Sequence, residues 1–467
     1  MAELSTVEVF DIQNRKMLYS LLVAAAIFLV IFFMPTPTGL SVLGQRVLAI
    51  FALVVVLWIT EPIPLPATAF IPGILLFFLG IAKTPTEAFA SYANPAVFFI
   101  IGSLIIAQGL VKSGIGKRIA LGFLSRCRNS PSLLLFMLVA ISAILAMFIS
   151  DHLIAAMLLP VAITIVATAK IEGKFKIALV LAIAFGCGVA GLATPSGGAR
   201  NAVALGFLEE LAGAQISYLG WMQAALPITL IMIPTIFIIL RVMFPPRGIN
   251  IQNAVDEIRA DLHPMSKREW KALGVFLLVL TLFISTSDLV GLGTIAILGA
   301  ILMFATGVLD WSEAESGVNW GVMFIYGAAI TMGVALKTTG AAEWLAQGLL
   351  NILPIGSPLV VIMGVVIIAS VLTSFISDGA AASILAPITI NMALITAIEP
   401  RLMVLATAIP TAFAYITIFG TPANTIVYGS GYFNSKDLLR AGIFVEIAAI
   451  AIMFFVVKYY WTWLGLW

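Results

Sequence analysis

Charged residues are scarce in this chain: Asp, Glu, Lys and Arg make up 10% of its 467 residues, whereas hydrophobic residues make up 62%. The mean hydropathy is +1.14, and soluble domains carry about 25% charged residues. The chain therefore lacks the polar surface of a soluble fold. Successive apolar runs of about 20 residues fit transmembrane helices and exclude a β-barrel, whose strands are about half as long. We predict an all-α polytopic membrane protein.

Cysteine is rare too, and the two cysteines differ in their surroundings. Cys127 lies in a basic loop and Cys187 in an apolar run, which predicts neither a disulfide nor a metal framework, and no cofactor. The net charge of +2 is small, and basic residues are spread through the loops, so no nucleic-acid partner is expected. Neither His-Glu-x-x-His nor Gly-x-Ser-x-Gly occurs, which argues against an enzyme. A channel would need a continuous polar pore, whereas polarity here is confined to one depth.

The apolar runs predict eleven membrane crossings and leave two longer apolar stretches unassigned. Residues 132–168 and 358–397 are too long for one crossing, and a Ser-Asp pair interrupts each stretch halfway. We interpret these two stretches as re-entrant helical hairpins. The crossings are predicted at 17–34, 41–60, 64–82, 95–111, 177–208, 221–240, 272–289, 292–309, 320–336, 402–429 and 442–457.

A topology with a cytoplasmic N-terminus and an outer C-terminus agrees with the positive-inside rule. With both hairpins returning to their own side, most of the 24 Lys and Arg residues fall in cytoplasmic segments. We therefore expect an integral protein of the plasma (inner) membrane. Two amphipathic pieces, 114–124 and 340–350, are expected to lie along a membrane surface. The basic residues predicted outside are Arg46, Lys83, Lys337, Arg401 and Lys458.

The two halves of the chain repeat one pattern. Phe-Ile-Ser-Asp occurs at 148–151 and again at 375–378, and "ATP" at 193–195 matches "GTP" at 420–422 at the same displacement. Because each unit has an odd number of crossings, the second copy is expected to be inverted, as in many secondary transporters. The predicted segments are a tail and first helix (1–40), a first repeat (41–244, with hairpin 131–169 and broken helix 177–208), a cytoplasmic linker (245–271) and an inverted second repeat (272–467, with hairpin 357–397, broken helix 402–429 and a last helix).

Four helix interruptions are expected to meet near mid-bilayer and form a substrate site. Ser150 and Ser377 suit the N-caps of the outgoing hairpin arms, and helix N-termini favour anions. Proline after Thr194 and after Thr421 breaks two further helices and frees carbonyl groups at depth. The predicted substrate-binding residues are Ser150, Asp151, His152, Thr194, Pro195, Arg200, Asn201, Ser377, Asp378, Gly379, Thr421, Pro422 and Asn424.

The stretch "AFAYITIFGTPANTIVYGSGYF" at 412–433 resembles the C-terminal broken-helix signature of the divalent anion:sodium symporter (DASS) family. The two hairpin tips resemble the paired Ser-Asn-Thr motifs of that family. The resemblance implies a homodimer in which a scaffold holds the dimer contact while a transport domain of hairpins and broken helices moves as an elevator. It also implies di- and tricarboxylate substrates, or sulfate, with sodium ions bound behind the tips.

The chain departs from the family pattern at both tips, where Asp151-His152 and Asp378-Gly379 stand in place of Asn-Thr. Ionisable groups within a membrane are costly and usually functional, although an aspartate also serves as a helix cap. His152 could supply a positive charge or titrate.

Arg200 is a second departure, because its charge is permanent. Its guanidinium fork suits a carboxylate, either that of Asp151 or that of the substrate, and snorkelling to a surface is the structural alternative. Aligning Asn201 with Asn424 leaves four extra residues in the first copy, and Arg200 is among them.

Two aspartates balanced by His152 and Arg200 bring the empty site near neutrality without a bound cation. We therefore predict a sodium-independent exchanger of C4-type dicarboxylates of the succinate, malate and 2-oxoglutarate class, with lipid and a second copy as its other partners. The alternative is sodium- or proton-coupled di- or tricarboxylate symport, with sodium sites near Ser150, Asp151 and Asp378.

Overall fold

The computed structural model describes residues 6–352 and 357–466, with side chains from residue 15 onward. Every regular element in these residues is a helix, which confirms the all-α fold class. Residues 1–5 of the predicted tail and Trp467 lie outside the described residues. The helices before the linker are Thr6–Phe33, Val42–Thr60, Leu65–Thr68, Ile71–Phe78, Pro85–Phe89, Ala90–Ala93 (3-10), Pro95–Ser113, Ile115–Leu124, Pro131–Ala146, Asp151–Thr168, Phe175–Ala190, Pro195–Gly197 (3-10), Ala199–Ala212 and Tyr218–Met243.

The second half begins with a short helix in the predicted linker and continues with the counterparts of the first half. Its last helix carries a π-helical turn near the C-terminus. The described helices from the linker onward are Gln252–Ala260, Lys267–Val290, Leu292–Ala305, Trp311–Gly317, Gly321–Thr338, Ala341–Ile352, Pro358–Thr373, Asp378–Thr396, Pro400–Ala408, Pro410–Ala412 (3-10), Pro422–Tyr428, Ser435–Phe455, Val456–Tyr460 (π) and Trp461–Trp463.

Nine helices among the described residues are long and apolar enough to cross a bilayer. Seven of them coincide with predicted crossings, and the other two, Asp151–Thr168 and Asp378–Thr396, lie in the stretches predicted as hairpins. The count of eleven crossings and the re-entrant hairpins stay predictions. The remaining predicted crossings, which consist of shorter helices, are 64–82, 177–208, 292–309 and 402–429.

Each predicted hairpin consists of two helices with a short break at its Ser-Asp motif. Pro131–Ala146 precedes the first break and Pro358–Thr373 the second, and each of these arms has 16 residues. A helix of that length is about 24 Å long, which is less than the hydrocarbon thickness of about 30 Å. An arm that ends inside the bilayer fits this length. We call residues 147–152 the first tip and residues 374–379 the second tip.

Two other helices are interrupted, and their second segments exchange partners between the halves. The first break, residues 191–198, leads into Ala199–Ala212, which packs against the outgoing arm of the second hairpin, Asp378–Thr396. The second break, residues 409–421, leads into Pro422–Tyr428, which packs against the outgoing arm of the first hairpin, Asp151–Thr168. The two halves therefore interlock at their breaks and tips.

A pair of closely packed helices, Pro95–Ser113 and Leu292–Ala305, lies beside this interlocked core. A Cβ atom at Gly102 would lie 2.4 Å from the carbonyl carbon of Ala296, and one at Gly293 would lie 2.6 Å from the Pro95 carbonyl oxygen. Only glycine allows such close backbone approach. The first helix of this pair forms one wall of the cavity described below.

Candidate functional site

The first tip exposes a carboxylate next to an imidazole. Asp151 Oδ1 accepts the backbone N–H of His152 at 2.7 Å and lies 3.7 Å from His152 Nδ1. The two side chains are 21% and 36% exposed, respectively. Ser150 occupies the N-cap position, but its side chain makes no capping hydrogen bond. Ser150 therefore lies at the predicted N-cap position, but its hydroxyl does not cap the helix, and the first-turn N–H of His152 is bound by the Asp151 carboxylate.

The second tip has the same backbone plan with different side chains. Asp378 Oδ1 accepts the Gly379 N–H at 2.6 Å, and Ser377 Oγ accepts the Ala380 N–H at 3.4 Å. The predicted cap is thus confirmed for Ser377. A Cβ atom at Gly379 would lie 2.2 Å from the hydroxyl of Tyr326. Where the first tip carries an imidazole, the second tip receives a phenol from helix Gly321–Thr338.

Arg200 joins the first break to the second tip. Its Nη1 donates to Asp378 Oδ2, and the residue is only 5% exposed. Arg200 therefore does not snorkel, and the expectation that Asp151 is its protein partner is wrong. The reason is the crossed packing, which places the first break against the second hairpin. The Arg200 Nε is buried without a hydrogen-bond partner, so one charged donor is not used by the described residues.

Glycines in the first break make room for the guanidinium. A Cβ atom at Gly191 would lie 2.7 Å from Arg200 Nη2, and one at Gly198 would lie 3.0 Å from its Cζ. Atoms at such distances would have to move. Gly191 and Gly198 thus let the backbone pass close to a buried, charged side chain.

Asn201 and Asn424 close the two breaks in the same way. Asn201 Nδ2 donates to the carbonyls of Gly191 (2.7 Å) and Thr194 (2.8 Å), which lie ten and seven residues earlier. Asn424 Nδ2 donates to carbonyls at the same two offsets, at 2.8 and 2.9 Å. Both asparagines are fully buried. Their amides satisfy carbonyl groups that the breaks leave unpaired.

In each half, a threonine of the break forms a hydrogen bond to the tip, and these two threonines show which residues of the breaks correspond. Thr194 Oγ1 donates to the Met147 carbonyl, and Thr417 Oγ1 donates to the Ser374 carbonyl at 2.6 Å. Each threonine also provides the carbonyl that the asparagine of its own break binds. The structural counterpart of Thr194 is therefore Thr417, in the same register that pairs Asn201 with Asn424.

The predicted match of Thr194-Pro195 with Thr421-Pro422 is thus wrong. Thr421 instead caps helix Pro422–Tyr428, because its Oγ1 accepts the N–H of Asn424 at 3.2 Å. Since both breaks run seven residues from threonine to asparagine, the four extra residues do not lie in the first break. In this register, Arg200 corresponds to Ala423.

A small cavity lies between the first tip and helix Pro95–Ser113. It is about 40 Å³ in volume, and its lining includes Ser150, Pro195, Phe99 and Ser103. A water molecule needs about 10–15 Å³ of such volume. The cavity therefore has room for a few water molecules but not for a dicarboxylate in the described conformation.

A buried carboxylate that the sequence analysis did not single out lies in the last helix. Glu446 is 8% exposed, Ser370 Oγ donates to its Oε1, and the Tyr415 N–H lies 3.5 Å from its Oε2. A scan of the predicted crossings for charged residues would have found it. No group of three His, Cys, Asp or Glu side chains in the described part of the chain could hold a metal ion.

Comparisons with known proteins agree with this architecture. Residues 15–467 match the family model "Sodium:sulfate symporter transmembrane region". A sodium-dependent dicarboxylate transporter, SdcS of Staphylococcus saprophyticus, is 28% identical over 96% of this chain and 92% of its own length. SdcS of a Staphylococcus aureus strain is 27% identical, over 95% of this chain and 91% of its own length.

Solved structures support the fold. The YdaH transporter of Alcanivorax borkumensis aligns with a TM-score of 0.58 at 14% identity, over 80% of this chain and 86% of its own. MtrF of Neisseria gonorrhoeae aligns with the same TM-score and identity, over 95% and 94%. These likenesses, and a family model that spans almost the whole chain, confirm the expectation of a transporter rather than an enzyme. The chain belongs to the sodium:sulfate symporter family of integral membrane transporters, which is the DASS family.

Proposed function

We propose that this protein is a sodium-independent exchanger of C4-type dicarboxylates such as succinate and malate, and of the related C5 acid 2-oxoglutarate, that works by an elevator mechanism. The observation that carries the proposal is the ion pair between the buried Arg200 and the partly exposed Asp378, which builds a fixed cation into the junction of the two halves. The names of the SdcS relatives support a dicarboxylate as the substrate.

The fixed cation takes the electrostatic role that a bound sodium ion has in a symporter. A dianion enters a low-dielectric site only where positive charge or oriented donors compensate it. Arg200 compensates Asp378, and protonated His152 would compensate Asp151. A carrier with such built-in compensation does not need sodium before substrate binds. If only the loaded carrier crosses the membrane, the result is exchange.

Donors not used within the protein define where the substrate carboxylates would bind. Arg200 Nε is buried and unpaired, and the His152 side chain is more than one-third exposed. Arginine suits planar carboxylates because its donors are coplanar. One substrate carboxylate would approach the guanidinium and the other the imidazole, with the helix N-termini at both tips adding to the attraction.

Movement of the interlocked core past helix Pro95–Ser113 would open the site. The cavity between that helix and the first tip is too small for a dicarboxylate, so a substrate that enters between them requires the two walls to separate. In the proposed elevator, the hairpins and broken helices move as one body while the closely packed helices stay in the scaffold. A homodimer held by its scaffolds belongs to the same proposal.

Cation-coupled symport is the competing function. The SdcS relatives are named sodium-dependent, and the accessible Asp151 carboxylate could belong to a cation site near Ser150 and Asp378. In that case Arg200 would serve only to balance Asp378. The two functions differ in what drives uptake.

Counterflow in proteoliposomes separates them. In sodium-free buffer, uptake of labelled succinate is expected only when the vesicles contain unlabelled dicarboxylate. The R200A variant should lose this uptake, whereas R241A, which removes an exposed arginine far along helix Tyr218–Met243, should retain it. Uptake that requires a sodium gradient and ignores internal dicarboxylate would contradict the exchanger.

A further inference from the structure

Glu446 lies deep within the last helix, in an environment without a cation. It is the twelfth residue of Ser435–Phe455, so it lies about 17 Å along the helix, near mid-bilayer depth. No Lys, Arg or His side chain of the described residues lies within 4.0 Å of its carboxylate. An ionised carboxylate is costly in such surroundings unless it is paired.

The elements packed against the last helix offer no charge that compensates Glu446. Pro358–Thr373 contains no titratable residue. Tyr415 presents its backbone N–H, and its ring lies nearby. The other charged or titratable groups on the last helix and on Tyr218–Met243 lie toward their ends: Lys436, Asp437, Arg440, Lys458, Tyr459 and Tyr460 on the former, and Tyr218 and Arg241 on the latter.

Packing alone does not require a carboxyl group at this position. Counted from the N-caps Ser217 and Asn434, Thr229 is the counterpart of Glu446 in the first half. Thr229 Oγ1 donates to the Val189 carbonyl at 2.9 Å and is fully buried. The first half therefore uses a neutral hydroxyl where the second half places an ionisable group.

Hydroxyl groups connect Glu446 to the second tip. Ser370, which bonds to Glu446, lies in the arm that ends at this tip, and Ser374 Oγ donates to the Ser370 carbonyl at 3.2 Å. The Ser374 carbonyl in turn accepts the Thr417 hydroxyl from the second break. A change of charge at Glu446 would thus act on the segment that holds Asp378.

We propose that Glu446 is a proton-binding site whose neutral form supports dianion binding at the second tip. The carboxylate takes up one proton to become a carboxylic acid, and it releases that proton when the pH rises. Deprotonation places an uncompensated negative charge behind the tip and weakens binding of the substrate dianion. The link to substrate rests on the proposed function, whereas proton binding does not.

Infrared spectroscopy of the purified full-length protein reads out the proton directly. The wild type should show the C=O band of a buried, neutral carboxylic acid that disappears as the pH is raised. The band should be absent from E446Q, shifted in frequency in E446D, and retained in E315Q, which changes an exposed glutamate. A wild type without the band, or an E446Q variant with an unchanged band, would overturn the proposal. Loss of the band when sodium replaces choline at constant pH would assign the carboxylate to sodium and also overturn it.

Binding of fumarate, which stays doubly ionised near neutral pH, tests the link to substrate. Wild-type affinity should fall by up to about tenfold per pH unit as the single proton is lost, while E446Q should keep the affinity of the acid form at every pH. The same pH slope in both proteins would overturn the link. No fumarate binding at any pH, with the infrared band intact, would contradict the proposed function and still support proton binding at Glu446.

Discussion

The two hairpin tips share a backbone but differ in the basic side chain beside each aspartate. In each tip an aspartate follows the N-cap serine and accepts the next backbone N–H. Asp151 then lies beside an exposed imidazole, whereas Asp378 pairs with buried Arg200. The repeat therefore specifies how the chain turns at each tip, and side-chain substitutions decide which charges meet there. A repeated chain segment can thus keep matching backbone contacts around side chains of different charge.

The two breaks also share their backbone contacts and differ in charge. Thr194 and Asn201 in the first break have the same partners, in the same register, as Thr417 and Asn424 in the second. Arg200 has no such counterpart, because the second half has alanine at the corresponding position. We call Thr194, Asn201, Thr417 and Asn424 the frame residues. Substituting a frame residue should change stability by a similar amount in both halves, whereas substituting Arg200 has no equivalent in the second half.

Removing Arg200 should have the largest effect. R200A leaves the partly exposed Asp378 carboxylate without its cation, which should cost about 1–3 kcal/mol of folding free energy, and it should abolish dicarboxylate exchange. Thermal unfolding and counterflow measure the two losses. Adding D378N to R200A should recover much of the stability but no transport. If R200A retained wild-type stability, the ion pair would not hold the halves together.

Alanine substitution of the two frame asparagines, Asn201 and Asn424, should lower the free energy of unfolding by similar amounts. N201A and N424A each remove two buried hydrogen bonds to carbonyls, and each should lower the free energy of unfolding by about 2 kcal/mol. Denaturant or thermal unfolding of both variants in the same detergent checks the match. A loss in one half without a similar loss in the other would contradict the register that pairs Asn201 with Asn424.

A methyl group at the second tip should meet the Tyr326 hydroxyl. G379A is expected to cost about 1–3 kcal/mol by overpacking, and Y326F should relieve part of that cost by removing the oxygen. The first tip accepts a large side chain at the corresponding position, so H152A should destabilise less than G379A. Equal stability of G379A and the wild type would show that the phenol moves freely.

Alanine substitution of the two N-cap serines should have different effects on stability, and both effects should be smaller than that of G379A. S377A removes a side-chain cap and should cost about 1 kcal/mol, whereas S150A removes no such hydrogen bond and should leave stability unchanged. The unfolding midpoints of the two variants, measured under the same conditions, test this difference. Similar losses in both variants would mean that Ser150 also caps its helix in the membrane.

Composition and the Ser-Asp repeat predict an all-helical membrane protein and the register that pairs the two hairpin tips, and the resemblance at residues 412–433 predicts its family. The register of the breaks was missed because the Thr-Pro pair is a stronger sequence pattern than the single threonine of "YIT" at 415–417, which makes the matching contact. The partner of Arg200 was missed because crossed packing between the halves leaves no local signal. The repeat gives no signal for Glu446, because its counterpart in the first half is a threonine.

The central claim is that a fixed cation at Arg200 makes bound sodium unnecessary. Titration of purified protein with succinate by calorimetry, in choline chloride and in sodium chloride at equal ionic strength and pH, tests it most directly. We expect dissociation constants that agree within about twofold, because neither buffer changes the charge at the site. Binding that appears only in sodium, or tightens steadily as sodium is added, would contradict it.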